Sequence, residues 1–186
     1  MSAPLTDPAA AVCAHSKANR LARLAWNVVW LLFFRPSPPS FWRWRMWLLR
    51  RFGATIESAN LHPSVRVWAP WRLKIGKEVW IDSGVNLYNA FGLEIHDRNV
   101  ISQGVFLCTA THDYNIPNYP LTGNKLIIES DCWLAAEAFI APSVQVIGQG
   151  TVVGARAVVV KQTPALSILG GNPAKVIKQR NITSQA

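Results

Sequence analysis

The side chain in this 186-residue sequence most suited to moving a proton is His112, which stands in the stretch TATHDY, Thr109 to Tyr114. An imidazole with an ordinary pKa near 6.5 can accept a proton close to neutrality and return it. The other histidines lie elsewhere: His15 in the N-terminal tail, His62 and His96 within or near the aliphatic repeat described below. None makes a close pair with His112, so the histidine cluster that a zinc enzyme needs is not supported and no metal is expected. Cys13, Cys108 and Cys132 are odd in number and form no CxxC pair, which argues against a disulfide framework or a zinc ribbon. Such cysteine usage fits a reducing, cytoplasmic compartment.

The elements that must position His112 are legible as a period. Aliphatic residues recur every six positions in Ile75, Ile81, Leu87, then Ile95, Ile101, Leu107, then Ile128, Leu134, Ile140, then Ile147, Val153, Val159. Small or short residues often follow them, as at Gly76, Ser102, Ala135 and Gly154. A step of six is neither a helical turn nor simple strand alternation. It reads as short strand, corner, short strand. Three strands close a triangular coil, and stacked coils line up the aliphatic positions as an interior ladder. The prediction is an all-β solenoid, a parallel β-helix over 55–160 with roughly five coils, which Ile56, Leu61 and Val67 start irregularly. Ordinary sandwich strands are the alternative, against which four groups hold the same step. Between Leu107 and Ile128 the ladder breaks, and HDYNIPNYPLTGNK reads as a loop over 112–127 thrown out from a corner, with His112 its first residue.

The formal charge of +9 is not spread over the chain. Between Asp7 and Glu57 there are eight Lys and Arg and no acid, whereas from Glu57 onward eleven basic residues face nine acidic ones. The excess belongs to the N-terminal segment, which argues against a nucleic-acid partner for the domain. Residues 1–20 read as a flexible tail and 21–54 as an apolar and basic helical segment. The apolar run Leu24 to Phe34 is too short to cross a bilayer of about 30 Å. It also lacks the position and cleavage site of a signal peptide. Leu21, Leu24, Val28, Leu31 and Leu32 form one stripe, with Trp26, Trp30, Phe33 and Phe34 beside it, so this helix must bury itself in something. FWRWRMWLLRRF then alternates tryptophan with arginine. Two roles stay open and are compatible: a cap on the solenoid's open end, and a peripheral membrane contact through residues 21–52 at the inner face of the membrane.

Taken together, LFFRPSP, VRVWAPW, ISQGVFLCTATHDY, DCWLAAEAFIAP, VVGARAVVV and GGNPAKVIK make the chain resemble the hexapeptide-repeat O-acetyltransferases over about Trp26 to Arg180. The likeness is nearest to the colanic acid biosynthesis acetyltransferases and more distant to the galactoside and maltose enzymes. It implies a left-handed parallel β-helix, a homotrimer with its sites between subunits, acetyl-CoA as co-substrate and a saccharide acceptor. It further implies that His112 is the general base that takes a proton from the acceptor hydroxyl.

For the acceptor, the resemblance implies Asp82, where the galactoside enzymes carry an Asn, and Asn89, near a position where they carry an Asp. Asp113 would orient His112 or the substrate. Trp133 would line the site, covering a sugar or the pantetheine arm. Ala136, Gly154 and Ala155 match backbone that holds pantetheine, and Lys161, Lys175 and Lys178 match basic positions near the CoA phosphates within the segment 161–186. The chain departs from the family pattern at Val160, where relatives have Thr, and at Lys175, where GNPAK replaces GNPAR. Lysine keeps the charge and loses the bidentate fork. A second class of function, a non-catalytic scaffold of a membrane-associated glycan-assembly complex, needs neither the TATH stretch nor the basic C-terminal segment.

Overall fold

A computed structural model describes residues 16–181. Three parallel sheets form the faces of a left-handed β-helix with a triangular section. The first coil is β1 (Thr55–Ile56), β2 (Ala59–Leu61) and β3 (Arg66–Val67); the second is β4 (Leu73–Ile75), β5 (Val79–Ile81) and β6 (Asn86–Tyr88). The third is β7 (Leu93–Ile95), β8 (Val100–Ile101) and β9 (Phe106–Cys108). After a hairpin of β10 (Ala110–His112) and β11 (Leu121–Gly123) come β12 (Leu126–Ile128), β13 (Trp133–Leu134) and β14 (Phe139–Ile140), then β15 (Val146–Ile147), β16 (Val152–Val153) and β17 (Val158–Val159). The twelve ladder positions from Ile75 to Val159 are all buried, none above 2 % exposed. Ile56, Leu61 and Val67 are full rungs too, paired in register with Ile75, Ile81 and Leu87, because their uneven spacing is absorbed in the corners.

The solenoid continues beyond the expected end at 160. Strand β18 (Ser167–Gly170) pairs in parallel with β16, and β19 (Lys175–Gln179) folds back antiparallel on β18. About six turns result. The interruption also differs from a plain loop over 112–127: Ala110 to His112 and Leu121 to Gly123 pair antiparallel, so His112 ends a strand rather than opening a loop.

Two helices close the N-terminal end. Helix α1 (Lys17–Val29) runs on through a π-helical turn, Trp30–Phe34, and α2 is Trp42–Arg51. The helix therefore begins within the expected 1–20 tail, whose residues 1–15 lie outside the described residues. Along the stack each coil donates N–H groups to carbonyls of the next, as in His62 N to Ile81 O and Trp68 N to Leu87 O. The first coil's own carbonyls consequently point out of the open end and need donors. The cap supplies them from side chains: Arg50 to Ile56 O, Arg45 to Leu61 O, Trp30 to Val65 O and Trp26 to Val67 O. Trp26, Trp30 and Phe34 thus bury one face of α1 against the solenoid.

Candidate active site

The chain between β10 and β11 turns tightly. Asp113 N–H donates to Pro120 O at 3.0 Å, and the Asp113 carboxylate accepts Asn115 N–H at 2.9 Å. Asp113 therefore shapes the turn, and its carboxylate is turned to Asn115 and not to His112. The base of the hairpin rests on a small apolar cluster of Ala90, Phe91 and Ala110, with Trp68, Tyr88 and Leu121 against it. Gly123 is obligatory there, because a β-carbon would collide with Thr109 O and the Phe91 ring. Thr109 anchors the exit from the coil by donating to Tyr88 O at 2.9 Å and accepting Phe91 N–H at 3.0 Å.

His112 itself is exposed, and its Nδ1 lies 2.6 Å from the carbonyl oxygen of Tyr119. A carbonyl only accepts, so Nδ1 carries the proton and Nε2 keeps a lone pair directed away from the backbone. His62 has the opposite arrangement. Its Nδ1 accepts Ser64 N–H at 3.2 Å, and Ser64 Oγ stands 2.8 Å away, which leaves the proton on Nε2. The two described cysteines are buried, and burial pushes the Cys132 thiol up to about 11 and raises that of Cys108. Neither is a thiolate nucleophile near neutral pH.

Trp133 is 47 % exposed on the outer face of β13, and its Nε1 donates to Ser102 Oγ at 3.0 Å. Register carries one outward column from it: Trp133 opposite Val152, Val152 opposite Ile168, Ile168 opposite Lys178. Three strand-to-strand steps of about 4.8 Å separate the indole from the lysine by about 14 Å. Lys161, Lys175 and Lys178 are exposed, and none has a carboxylate partner among the described residues. Gly154 donates its N–H to Leu169 O at 2.8 Å and so belongs to the ladder, whereas Ala136 and Ala155 at equivalent corners keep N–H groups without an acceptor among the described residues.

In the opposite direction the column runs from Trp133 through Val100 and Trp80 to Asn60. Here the loop before α2 leans over the sheet and encloses a cleft of about 730 Å³. Asp82 lines it together with His62, Asn60, Trp80, Trp42 and Ser102. His62 is not among the residues that the sequence singles out for the site. The signal was its place at the corner after the aliphatic rung, which Asp82 and Ser102 occupy in the next two coils. Asn89, by contrast, is fully buried, and its amide accepts Ala69 N–H at 3.0 Å and donates to Ala69 O at 2.8 Å. These two bonds tie the Asn89 amide to Ala69, and Asn89 is not among the residues that line the cleft beside Asp82.

Within one chain these parts are not all together. The hairpin leaves the corner between the β9 and β12 sheets, while the Trp133 column and the cleft occupy the sheet opposite that corner.

The sequence is 42 % identical over 163 residues, 87 % of this chain and 89 % of the other, to the Escherichia coli K12 protein named "Putative colanic acid biosynthesis acetyltransferase WcaF". This chain belongs to the hexapeptide-repeat acetyltransferases. Among that family, a maltose O-acetyltransferase from Clostridium difficile 630 superposes with a TM-score of 0.81 at 23 % identity, covering 91 % of both chains. A Vibrio cholerae hexapeptide-repeat acetyltransferase, solved with acetyl-CoA, superposes with a TM-score of 0.80 at 21 % identity over 91 % of this chain and 92 % of that one. No protein-family model matches the chain. As a hexapeptide-repeat acetyltransferase it shows no group of His, Cys, Asp or Glu fit to hold a metal among its described residues.

Proposed function

We propose that the protein is an O-acetyltransferase that moves an acetyl group from acetyl-CoA to a saccharide hydroxyl in surface-glycan biosynthesis, with His112 as general base. The observation that carries this reading is the hydrogen bond from His112 Nδ1 to Tyr119 O, which fixes the tautomer in which Nε2 is the base. Nε2 takes the hydroxyl proton as the oxygen attacks the thioester carbonyl; the new C–O bond forms, the C–S bond breaks, and the imidazolium returns its proton to the departing sulfur.

The Trp133 to Lys178 column supports an extended acyl donor lying along the sheet. The lysines would meet its phosphates, the Ala136 and Ala155 amides its arm, and Trp133 its acyl end. The cleft around Asp82 suits a sugar, since Trp80 and Trp42 offer apolar ring faces while Asp82, Asn60 and Ser102 offer hydrogen-bonding groups. Because the hairpin and that sheet lie on different sides of one chain, a homotrimer in which one subunit's hairpin meets the neighbour's sheet completes the site. The relative's name supports a substrate in exopolysaccharide assembly, and use of acetyl-CoA supports a cytoplasmic site of action.

The test is transfer from acetyl-CoA to a panel of nucleotide sugars and oligosaccharides, following release of free CoA thiol and the mass of the acceptor. Thiol release that no saccharide accelerates would count against the saccharide reading, and acetylation of an amine in preference to any hydroxyl would replace it.

A further inference from the structure

Helix α1 is amphipathic the wrong way round for a surface helix with nothing on it. Trp26, and Trp30 in the π-helical turn, face the solenoid, where their indoles donate to Val67 O and Val65 O, and both are buried. Its outward stripe is apolar: Leu21 is 67 % exposed, Leu24 63 %, Val28 48 %, Leu31 55 % and Leu32 57 %. Spacings of three and four place these side chains on one line, which continues the helical face through the π-helical turn. An ordinary surface helix turns charge toward water there, so the stripe needs an occupant.

The stripe does not end with the helix. Trp44 Nε1 donates to Phe33 O at 3.0 Å and ties α2 to the end of α1. Trp44 and Trp47 stack with centroids 5.0 Å apart, and both stay exposed, as does Phe41 in the intervening turn. The same two helices and the turn between them carry the exposed cations Lys17, Arg20, Arg35, Arg43 and Arg51. No acid occurs between Asp7 and Glu57 to offset them. Arg45 and Arg50 are not part of this set, since the cap uses both.

We infer that this face docks on the surface of an anionic lipid bilayer, with the leucines in the headgroup and acyl boundary, Trp44 and Trp47 at headgroup depth, and the five cations on lipid phosphates. One sign of charge on the helices that carry a leucine and tryptophan stripe is the complement of such a surface. The α1 stretch Lys17 to Phe34 is about 27 Å long at 1.5 Å per residue. It lies along the bilayer, and no described helix is long and apolar enough to cross one. The inference stands on the face itself and not on the reaction.

Flotation of the full-length protein with vesicles tests it, using phosphatidylcholine alone against an equimolar mixture with phosphatidylglycerol. The expected result is binding to the anionic vesicles that falls as salt is raised from about 0.1 M to about 1 M, where the screening length shrinks from roughly 10 to 3 Å. Two variants separate the contributions: Lys17, Arg20, Arg35, Arg43 and Arg51 all to Gln, and Leu24→Ser with Leu31→Ser. Each should weaken binding by about tenfold or more with an unchanged melting temperature. The inference is overturned if the wild type stays unbound on anionic vesicles, or if both variants bind as the wild type does. It is equally overturned if the leucine variant changes the sedimenting mass without vesicles, because the stripe is then a contact between subunits. None of these readouts depends on acetyl transfer, so failure here leaves the proposed reaction standing.

Discussion

The Nδ1 of His112 and the carbonyl oxygen of Tyr119, seven residues apart across the hairpin turn, are joined at 2.6 Å. That bond orients the ring and selects its tautomer without any carboxylate. His112→Ala is accordingly expected to lower acetyl transfer by roughly a hundredfold or more, the usual yield of a positioned general base. The side chain is exposed, so the melting temperature should not move. Near-normal turnover of this variant at saturating acetyl-CoA would remove His112 from the mechanism.

Gly123→Ala should cost nearly as much activity from a residue with no functional group. The added methyl group meets Thr109 O and the Phe91 ring, so the β10 and β11 pairing must open and carry His112 with it. The solenoid below does not depend on that pairing. Far-ultraviolet circular dichroism should therefore stay close to wild type while transfer collapses; a fully active Gly123→Ala protein would show that hairpin geometry does not set the position of the base.

The ladder could be read from the sequence because an interior of stacked rungs demands one aliphatic residue per strand, a demand that shows as a fixed step of six. What escaped that reading is what periodicity cannot carry. ATH and LTG are too short to announce strands, so the hairpin looked like a loop. Arg45 and Arg50 looked like two more surface cations, since nothing in FWRWRMWLLRRF says which arginines turn inward toward first-coil carbonyls. His62 stood in a corner column where small residues are usual, and only the fold brings it beside Asp82 and Trp80. Nor does the sequence show that the Asn89 amide is tied to Ala69 by two hydrogen bonds.

Arg45 provides a sharp contrast with its neighbour. It is fully buried, burial lowers its pKa, and its guanidinium serves Leu61 O, Pro38 O, Pro39 O and Ser37 Oγ, with no carboxylate in the set. Arg45→Met leaves those acceptors unsatisfied and should destabilise the fold by about 3 kcal/mol. Arg43→Gln, on the exposed side of the same helix, should change stability by less than about 0.5 kcal/mol. Chemical denaturation of the two variants in parallel distinguishes them, and equal effects would contradict the cap described above.

Acid should weaken the ion pairs on the solenoid's surface before the core. Hydrogen bonds from Lys125 and then Lys74 hold the Glu94 carboxyl below its ordinary range, and Arg98 does the same for Asp131. A carboxyl whose folded pKa is depressed contributes stability that is full above its unfolded pKa of about 4 and is lost as pH falls through the lower folded value. Melting temperature should thus be level near neutrality and decline below about pH 4. Glu94→Gln should lower it modestly at pH 7 and flatten the acid limb. A variant with an undiminished acid limb would mean that Glu94 gains little from its two lysines.

The separation of His112 from the Trp133 column within a chain makes the proposed assembly testable by mixing. If one subunit's hairpin serves the neighbour's sheet, a His112→Ala chain and a Trp133→Ala chain are damaged in different halves of the site. Reassembled together in equal amounts, about a quarter of the interfaces in a closed ring would join an intact hairpin to an intact sheet. Activity should then rise from near zero for each variant alone toward roughly that fraction of wild type. The gain should require subunit exchange, so mixing without dissociation should give none. Should co-assembled chains remain as inactive as the separate ones, with trimers verified by sedimentation, the base and the tryptophan would have to act from the same chain, and the intersubunit site would be wrong.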